Sequence, residues 1–272
     1  YETLLAQGDL NAATAGIDRG SWNWIGPGNI GGRVRALAVH PSDPDIMWAG
    51  GIAGGIWKTI NGGVSWQMQD DFMASMAVTA IVINPQNPEI LYAGTGEGIG
   101  DSDTVTRWIF RTEDSGSTWT QLDWITDAYY INSLAISQDG TTLLAATEDG
   151  ILRCAAAYSG NKCQAVSDWN TVYSNESPQF SQVLDIEYSP TDSSKAVAGG
   201  ESGLTLYSTN GGGNWTSINL AGEGIGSGRV EVAYGPSGVV YASATTENLG
   251  DAIYKSSNNG ASLRREVQDI LI

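Results

Sequence analysis

Basic residues are scarce in this chain: its 272 residues include 13 lysines and arginines against 30 aspartates and glutamates, a formal net charge of -17 at pH 7. Such a surface repels phosphate backbones and anionic lipids, so nucleic-acid binding and membrane adsorption are disfavoured. The sequence also lacks a run of about 18 apolar residues, the length that a membrane-spanning helix needs. Its first residues show no basic segment followed by a hydrophobic one, so we expect neither a membrane span nor a signal peptide.

Histidine and cysteine are nearly absent as well. The single histidine, His40, has no second histidine with which to build a metal or catalytic site, and its place before a proline-bearing turn favours a structural or surface role. The two cysteines, Cys154 and Cys163, lie nine positions apart around Gly and Asn residues that suit a turn, which favours a disulfide over free thiols. A disulfide indicates an oxidising compartment, so we expect a secreted, periplasmic or cell-surface protein.

Phenylalanine is rare too, with three residues against ten tryptophans, eleven tyrosines and 35 glycines, which indicates an all-β protein rich in turns. A short motif repeats along the chain as TINGGVSW (59–66), TEDSGSTW (112–119), STNGGGNW (208–215) and, degraded, SSNNGASL (256–263). The copies start 53, 96 and 48 residues apart, so the middle interval holds two periods, and its missing copy falls at the cysteine pair. Alternating strand patterns recur in phase with the motif. Four short antiparallel strands in every repeat are what a β-propeller blade requires.

Each position of the motif has a physical role in a turn. The acidic or amide residue accepts hydrogen bonds from backbone N–H groups, the glycine permits a positive φ, and the tryptophan starts the outer strand with a large ring. In the three well-kept copies these residues are Asn61, Gly63, Trp66, Asp114, Gly116, Trp119, Asn210, Gly212 and Trp215. We therefore assign the motif a folding role and no catalytic one.

These residues carry a family resemblance. The motif resembles the Asp-box, or bacterial neuraminidase repeat, whose pattern is Ser/Thr-x-Asp-x-Gly-x-Thr-Trp. The resemblance covers nearly the whole chain and implies a β-propeller like those of sialidases, xyloglucan-active hydrolases, sortilin-type receptors and photosystem II assembly propellers. It indicates the fold strongly and the activity weakly, because one fold carries many functions. In the resembling families the motif lies on the face away from the ligand.

Function is therefore expected on the opposite face, in the loops between second and third strands and in the segments that lead into each innermost strand. Read in register, these loops are GGIAGG, GTGEGIGDSD, ATEDG, GGESG and ATTENLGD. Their carboxylates and arginines would suit a sugar, a peptide terminus or Ca2+, and no other cofactor is expected. The alternatives are solvated turns of an acidic protein and, for the aromatic residue, packing between blades. The ligand-binding candidates are Arg33, Glu97, Asp101, Asp103, Trp108, Glu148, Glu201, Arg229 and Glu247.

An enzymatic role has weak support. Sialidase chemistry, by family resemblance, needs an arginine triad, a tyrosine nucleophile and an aspartate acid/base, and the usual Arg-Ile-Pro signature is absent. Xyloglucan-active propellers resemble residues 34–59, but there the second strand leads into Thr-Asp-Ile-Gly-Gly, whose aspartate is catalytic. Ile52 or Ala53 stands at that place, which removes one of two required carboxylates. No catalytic residue is therefore assigned.

The sequence predicts an N-terminal extension at residues 1–19, a β-propeller of four-stranded antiparallel blades at 20–263 and an atypical tail at 264–272. Five blades are countable, and the charged, helix-compatible tail favours a fragment of a six- to eight-bladed ring. The expected function is binding of a glycan or protein partner through the loop face. The alternatives are a glycoside hydrolase, sialidase-like or endoglucanase-like, that uses carboxylates on the same face, and a structural module of a larger cell-surface protein.

Overall fold

The computed structural model of the protein describes residues 33–52, 54–69, 77–96, 108–122, 130–155, 163, 166–174, 182–219, 228–246 and 250–267. Within these ranges the chain forms five four-stranded antiparallel sheets, which confirms the predicted all-β propeller. Each sheet takes four consecutive strands in chain order, and sheets 1 to 5 are numbered along the chain. No helix in the described part of the chain has the length and apolar character to cross a membrane.

The strands are short, as the spacing of turn residues in the sequence predicts. Sheets 1 and 2 contain β1 (Val34–Val39), β2 (Met47–Gly51), β3 (Gly55–Thr59), β4 (Gln67–Met68), β5 (Val78–Ile83), β6 (Leu91–Thr95), β7 (Ile109–Thr112) and β8 (Thr120–Gln121). Sheet 3 contains β9 (Ile131–Ile136), β10 (Thr142–Thr147), β11 (Gly150–Ala155) and β12 (Trp169–Ser174). Sheets 4 and 5 contain β13 (Val183–Tyr188), β14 (Ala196–Gly200), β15 (Leu204–Ser208), β16 (Thr216–Asn219), β17 (Val230–Tyr234), β18 (Val240–Thr246), β19 (Gly250–Ser256) and β20 (Arg264–Val267). Two 3-10 helices, Val166–Asp168 and Pro236–Gly238, join strands within sheets 3 and 5.

The hydrophobic core lies between consecutive sheets. Each of the four junctions holds its own cluster of buried residues, and the innermost strands β1, β5, β9, β13 and β17 pack on one another in sequence. The second strands β2, β6 and β14 are buried along their full length because both of their faces carry apolar or small residues. Among the described residues, the packing that joins consecutive innermost strands is not repeated between β17 and β1.

One segment differs from its sequence-based prediction. Residues 264–267, which we expect from composition to belong to an atypical helix-compatible tail, form the outer strand β20 of sheet 5. Tyr254 pairs with Arg265, and Lys255 pairs with Arg264. The open edge of β19 offers backbone hydrogen bonds that outweigh the weak local preference of a charged sequence. The predicted boundary at residue 264 is thus corrected, while residues 1–19, 20–32 and 268–272 lie outside the described part of the chain.

The four repeated motifs form one type of turn between third and fourth strands, which we call the box turns (59–66, 112–119, 208–215 and 256–263). In the second box turn, the Thr112 hydroxyl donates to Asp114 Oδ1 at 2.7 Å and accepts the Gly116 N–H at 3.0 Å, while Asp114 Oδ1 accepts the Thr118 N–H at 2.8 Å. The same bonds recur in the other turns, where the accepting amides are Asn61, Asn210 and Asn258. Burial alone raises the pKa of Asp114, but the hydrogen bonds from Thr118 and Thr112 outweigh burial and lower it.

The box turns also join neighbouring sheets. The motif glycines have left-handed backbones, with φ of 86° at Gly63, 89° at Gly116, 78° at Gly212 and 85° at Gly260. A Cβ atom on Gly116 would lie 2.9 Å from Trp48 Nε1 of sheet 1, and one on Gly212 would lie 2.7 Å from Leu144 Cδ2 of sheet 3. The motif tryptophans are buried or half-buried: Trp66, Trp119 and Trp215. Gly116 and Gly212 therefore permit both the turn and the close approach to the preceding sheet.

Sheet 3 carries a disulfide where the repeat lacks its motif. Cys154 and Cys163 are bonded, with a Cα–Cα distance of 5.7 Å, as the spacing of the two cysteines predicts. Both are fully buried in the cluster between sheets 2 and 3, and the Trp169 Nε1–H donates to the Cys163 carbonyl at 3.1 Å. The disulfide thus connects β11 to the chain just before β12, as the box turn does elsewhere.

Removing this disulfide is expected to lower the free energy of unfolding by about 2.5 kcal/mol, because closing a loop of about ten residues restricts the unfolded chain by that order. The measurement is urea unfolding of wild type and of the Cys154→Ala/Cys163→Ala variant. The oxidised and reduced wild type provide a second comparison without a change of sequence. Equal midpoints for wild type and variant would contradict a stabilising role for the bond.

Candidate functional site

The two ends of the propeller carry different kinds of turn. The box turns and the turns between first and second strands lie at one end, where the Gly62 N–H donates to the Asp45 carbonyl and the Ser115 N–H donates to the Glu89 carbonyl. The loop face is the other end: the turns between second and third strands and the segments that lead into innermost strands. Its described charged candidates are Arg33, Glu148, Glu201 and Arg229, and Trp108 is described as well. Glu97, Asp101, Asp103 and Glu247 lie outside the described residues.

In sheet 3 the loop face consists of a two-residue turn, Glu148–Asp149. The Thr147 hydroxyl donates to the Gly150 carbonyl at 3.0 Å and accepts the Asp149 N–H at 3.2 Å. One side chain thus bonds two backbone groups of the turn. Gly150 has φ of 141°, and a Cβ there would lie 2.0 Å from the Tyr173 carbonyl oxygen. The tight turn leaves Asp149 exposed and Glu148 half-exposed at the rim.

In sheet 4 the turn at Glu201 is connected to the start of sheet 5. The Glu201 N–H donates to the Gln182 carbonyl at 3.1 Å, and the Gly203 N–H donates to the Gly228 carbonyl at 2.9 Å. Gly228 precedes Arg229, so the structure places the Glu201 turn beside the segment that carries this arginine. Arg229 Nε forms an ion pair with Glu231 Oε1. Backbone bonds thus bring the Glu201 turn beside the segment of Arg229, while the guanidinium itself pairs with Glu231, and a ligand site that combines Glu201 with Arg229 stays a prediction.

In sheet 1 the corresponding turn has no described carboxylate. The Ile52 N–H donates to the Arg33 carbonyl at 2.8 Å, and the Trp57 Nε1–H donates to the Gly54 carbonyl at 2.7 Å. Arg33 is exposed and Ile52 is half-exposed. An apolar side chain thus occupies the position where the xyloglucan-active resemblance implies a catalytic aspartate.

Trp108 lies at the edge of the loop face but packs inward. Its backbone N–H donates to the Thr95 hydroxyl at 3.0 Å, and its ring meets Phe110 edge-on with centroids 6.3 Å apart. The ring is packed against the cluster between sheets 1 and 2. This packing is one of the two interpretations that the sequence leaves open for Trp108, and it reduces the aromatic surface available to a sugar.

Two buried polar side chains near the loop face are not among the sequence-based candidates. The Thr79 hydroxyl donates to the Ile131 carbonyl at 2.5 Å, and the Asn132 amide donates to the Val183 carbonyl at 2.9 Å. Each side chain belongs to one innermost strand and forms a hydrogen bond with the backbone carbonyl of the first residue of the next innermost strand. The sequence does carry a signal for these two bonds. In β5 and β9 a polar residue, Thr79 or Asn132, directly follows the first apolar residue of the strand.

Two carboxylates between sheets 4 and 5 were also missed. Asp185 Oδ2 accepts the Val232 N–H at 2.9 Å, and Glu187 Oε2 accepts the Tyr234 N–H at 2.8 Å. Burial raises the pKa of Glu187 to about 7, and burial together with the nearby Glu231 carboxylate raises that of Asp185. The signal in the sequence is the pair of acids in VLDIEY, since β1, β5 and β9 have small or apolar residues at the matching positions and β17 has one acid there, Glu231.

A cavity of about 330 Å3 lies at the opposite end from the loop face, where β1, β5, β9 and β13 end. Its walls are mostly apolar and include Pro41, Pro85 and Pro190, and Glu187 is the one charged residue among those that line it. In the described part of the chain, no group of three or more His, Cys, Asp or Glu side chains is arranged to hold a metal ion. The Ca2+ site stays a prediction, because four of its candidate carboxylates are not described.

Comparison with known proteins shows the fold. No protein-family model matches the chain. A xyloglucanase of Hypocrea jecorina (strain QM6a) is 28% identical over 106 residues, which cover 37% of this chain and 12% of that protein. The solved GH74 xyloglucanase of Xanthomonas campestris is similar over 86% of this chain and 38% of its own, with 17% identity and a TM-score of 0.65. The chain thus spans well under half the length of these proteins.

Two solved propellers in complex with other molecules are similar as well. The Sqt1 protein of Chaetomium thermophilum, bound to the N-terminus of ribosomal protein L10, has 18% identity and a TM-score of 0.58 over 87% of this chain and 62% of its own. YCF48 bound to D1 peptide has 19% identity and a TM-score of 0.53 over 86% of this chain and 67% of its own. At these identities the likeness establishes that this chain has a β-propeller fold.

Proposed function

We propose that this chain is an extracytoplasmic propeller of the Asp-box type that binds a protein partner through its loop face. The observation that carries the proposal is the acidic rim of neighbouring sheets 3 and 4, where Glu148, Asp149 and Glu201 stand on rigid, hydrogen-bonded turns. Rigid turns that present charge lose little entropy when a ligand binds. With a net charge of -17, the protein attracts cationic segments at long range.

The neighbours and the disulfide support this proposal. Two structurally similar propellers, Sqt1 and YCF48, were solved with a peptide or protein terminus bound. The four box turns, with their shared hydrogen bonds, support the Asp-box type. The buried Cys154–Cys163 disulfide supports an oxidising, extracytoplasmic location.

Hydrolysis is less well supported by the site. A glycosidase of the usual kind needs two carboxylates on either side of the scissile bond. Ile52 or Ala53 stands at one of the two positions that the xyloglucan-active resemblance implies, and the ring of Trp108 is packed against the core. The geometry of the described rim therefore favours holding a ligand over cleaving one.

The test is a fluorescence-polarisation titration with three labelled peptides of equal length: lysine-rich, neutral and glutamate-rich. We expect the lysine-rich peptide to bind most tightly and its affinity to fall with added salt. The Glu148→Gln/Glu201→Gln variant removes two charges from the rim and is expected to weaken binding at least about tenfold. The matched control, Asp43→Asn/Glu89→Gln, removes two exposed charges from the opposite end and is expected to change binding little. Equal losses in the two variants, or no preference for the cationic peptide, would contradict the proposal.

A glycoside hydrolase is the second candidate, favoured by the 28% identity to a xyloglucanase over 106 residues. Release of reducing ends from xyloglucan measures this activity. Release that disappears in Glu201→Gln would establish hydrolysis at the rim and replace the binding proposal.

A further inference from the structure

The cavity at the box-turn end of the propeller is built from equivalent positions of four innermost strands. Their pairing with the second strands places four cavity-lining residues in one register: Ala38, Val82, Ala135 and Glu187. At this level β1, β5 and β9 contribute small or apolar side chains, and β13 contributes a carboxyl. The cavity therefore has one acidic side in an otherwise apolar wall.

The mouth of the cavity is mostly apolar as well. The second residue after the end of each of these strands also lines the cavity: Pro41, Pro85, Gln138 and Pro190. Proline has no backbone N–H, so three of these four positions present ring carbons and no backbone donor. The volume of about 330 Å3 lies within the range of small-ligand sites, about 300 to 1,000 Å3.

Glu187 receives little compensation from the chain around it. Its Oε2 accepts the Tyr234 N–H at 2.8 Å, and within the described ranges no group donates to Oε1. No basic side chain is among the described residues that line the cavity. Removing a carboxylate from water without giving it a cationic partner costs free energy. The fold thus uses one oxygen of this side chain and leaves the other available to a ligand.

The pKa of Glu187 agrees with this geometry. Burial raises the pKa, the hydrogen bond from the Tyr234 N–H lowers it and the charge of Asp185 raises it, to about 7 overall. Asp185 and Tyr234 are the groups that act on Glu187 from its own strand β13 and from β17. A cation bound beside the carboxylate favours the charged form and offsets the effect of burial.

A primary ammonium group on an apolar body matches both features of the cavity. The ammonium carries a positive charge and three N–H donors, and its hydrogen bonds to a carboxylate are of the strong, charge-assisted kind. The apolar body is removed from water against walls that include Val82, Ile83 and Ile136. An anionic ligand is repelled by Glu187, and a neutral one leaves the carboxylate without a counter-charge.

We propose that the cavity binds a small primary amine in its ammonium form, with the ammonium paired to Glu187 and the apolar body between the ends of β1, β5 and β9. The cavity lies at the opposite end of the propeller from the loop face. The amine site is therefore separate from the site proposed for a protein partner, and either proposal can fail without the other.

Isothermal titration calorimetry on the full chain tests the proposal, with phenethylamine as the probe. At about pH 8 the amine is protonated and Glu187 is mostly ionised. Three further probes separate charge from apolar contact: phenethyl alcohol, which is neutral, 3-phenylpropionate, which is anionic, and methylamine, which lacks the apolar body. We expect each of the three to bind at least about tenfold more weakly than phenethylamine.

The Glu187→Gln variant removes the charge from the cavity and is expected to bind phenethylamine at least about tenfold more weakly than wild type. Its free energy of unfolding, measured alongside, establishes that the variant is folded. The matched control is Glu89→Gln, which removes one exposed charge at the same end and is expected to keep the affinity of wild type within about twofold. No binding of phenethylamine, equal binding of phenethyl alcohol or methylamine, or equal losses in the two variants overturns the proposal.

Discussion

Replacing Trp48 with alanine is expected to lower the free energy of unfolding by about 4 kcal/mol. Trp48 is inaccessible to solvent and packs in the cluster between sheets 1 and 2. Its Nε1–H donates to the Ser115 carbonyl across the junction, and its ring lies under the Lys58 ammonium. The alanine variant loses the buried ring, the hydrogen bond and the cation–π contact together.

Urea unfolding of Trp48→Ala and Trp48→Phe separates these contributions. Phenylalanine keeps an aromatic ring in the junction and removes the N–H donor, so we expect a loss of about 1 to 2 kcal/mol. A loss under about 1 kcal/mol in the alanine variant would show that the junction does not depend on this residue. That result would also contradict the claim that the box turns stabilise the contact between neighbouring sheets.

Replacing Glu187 with glutamine is expected to stabilise the protein by about 3 kcal/mol above about pH 8 and to change its stability little below about pH 4. The pKa of Glu187 is raised from its ordinary value of 4.5 to about 7, chiefly by burial. The folded protein therefore holds a proton that the unfolded chain releases between these values. The contribution of Glu187 to the stability of the wild type is therefore highest below pH 4.5 and falls as the pH rises through about 7, where the partly buried Glu187 must lose its proton. Glutamine carries no charge at any pH, so the variant does not lose this stability.

Glutamine also retains a side-chain oxygen that can accept the Tyr234 N–H, so the hydrogen bond between sheets 4 and 5 is preserved. The measurement is the free energy of unfolding of wild type and Glu187→Gln as a function of pH. The control is Glu89→Gln, an exposed carboxyl at the same end of the propeller, whose curve is expected to follow that of wild type. Parallel curves for Glu187→Gln and wild type would contradict the raised pKa.

Most of the fold could be predicted from sequence because its determinants are local. The positive φ of Gly116 and the hydrogen bonds to Asp114 are set by residues within one turn, and the alternation of each strand is set within a few residues. The tail was the exception: residues 264–267 form a strand because the edge of β19 is open, a fact that local composition does not contain.

The contacts between sheets could not be predicted in the same way. Trp48 meets Ser115 across 67 positions, and Glu187 meets Tyr234 across 47. Both contacts depend on how neighbouring sheets stack. The sequence separation of the contacting residues changes with the length of every loop between them, so no fixed spacing identifies them. The acidic turns of the loop face could be predicted as a group because each follows a second strand. The bond that places the Glu201 turn beside Arg229 runs through Gly203 and Gly228, which carry no chemical signal of their own.

The most direct test of binding at the loop face is amide hydrogen exchange of the protein with and without the lysine-rich peptide. We expect slower exchange in the bound state at the turns of residues 148–150 and 201–204 and at residues 228–230. The box turns at 59–66 and 112–119 are expected to exchange equally in both states. Protection confined to the box turns, or to the strand ends around the cavity at Glu187, would place the binding site at the opposite end and contradict the assignment.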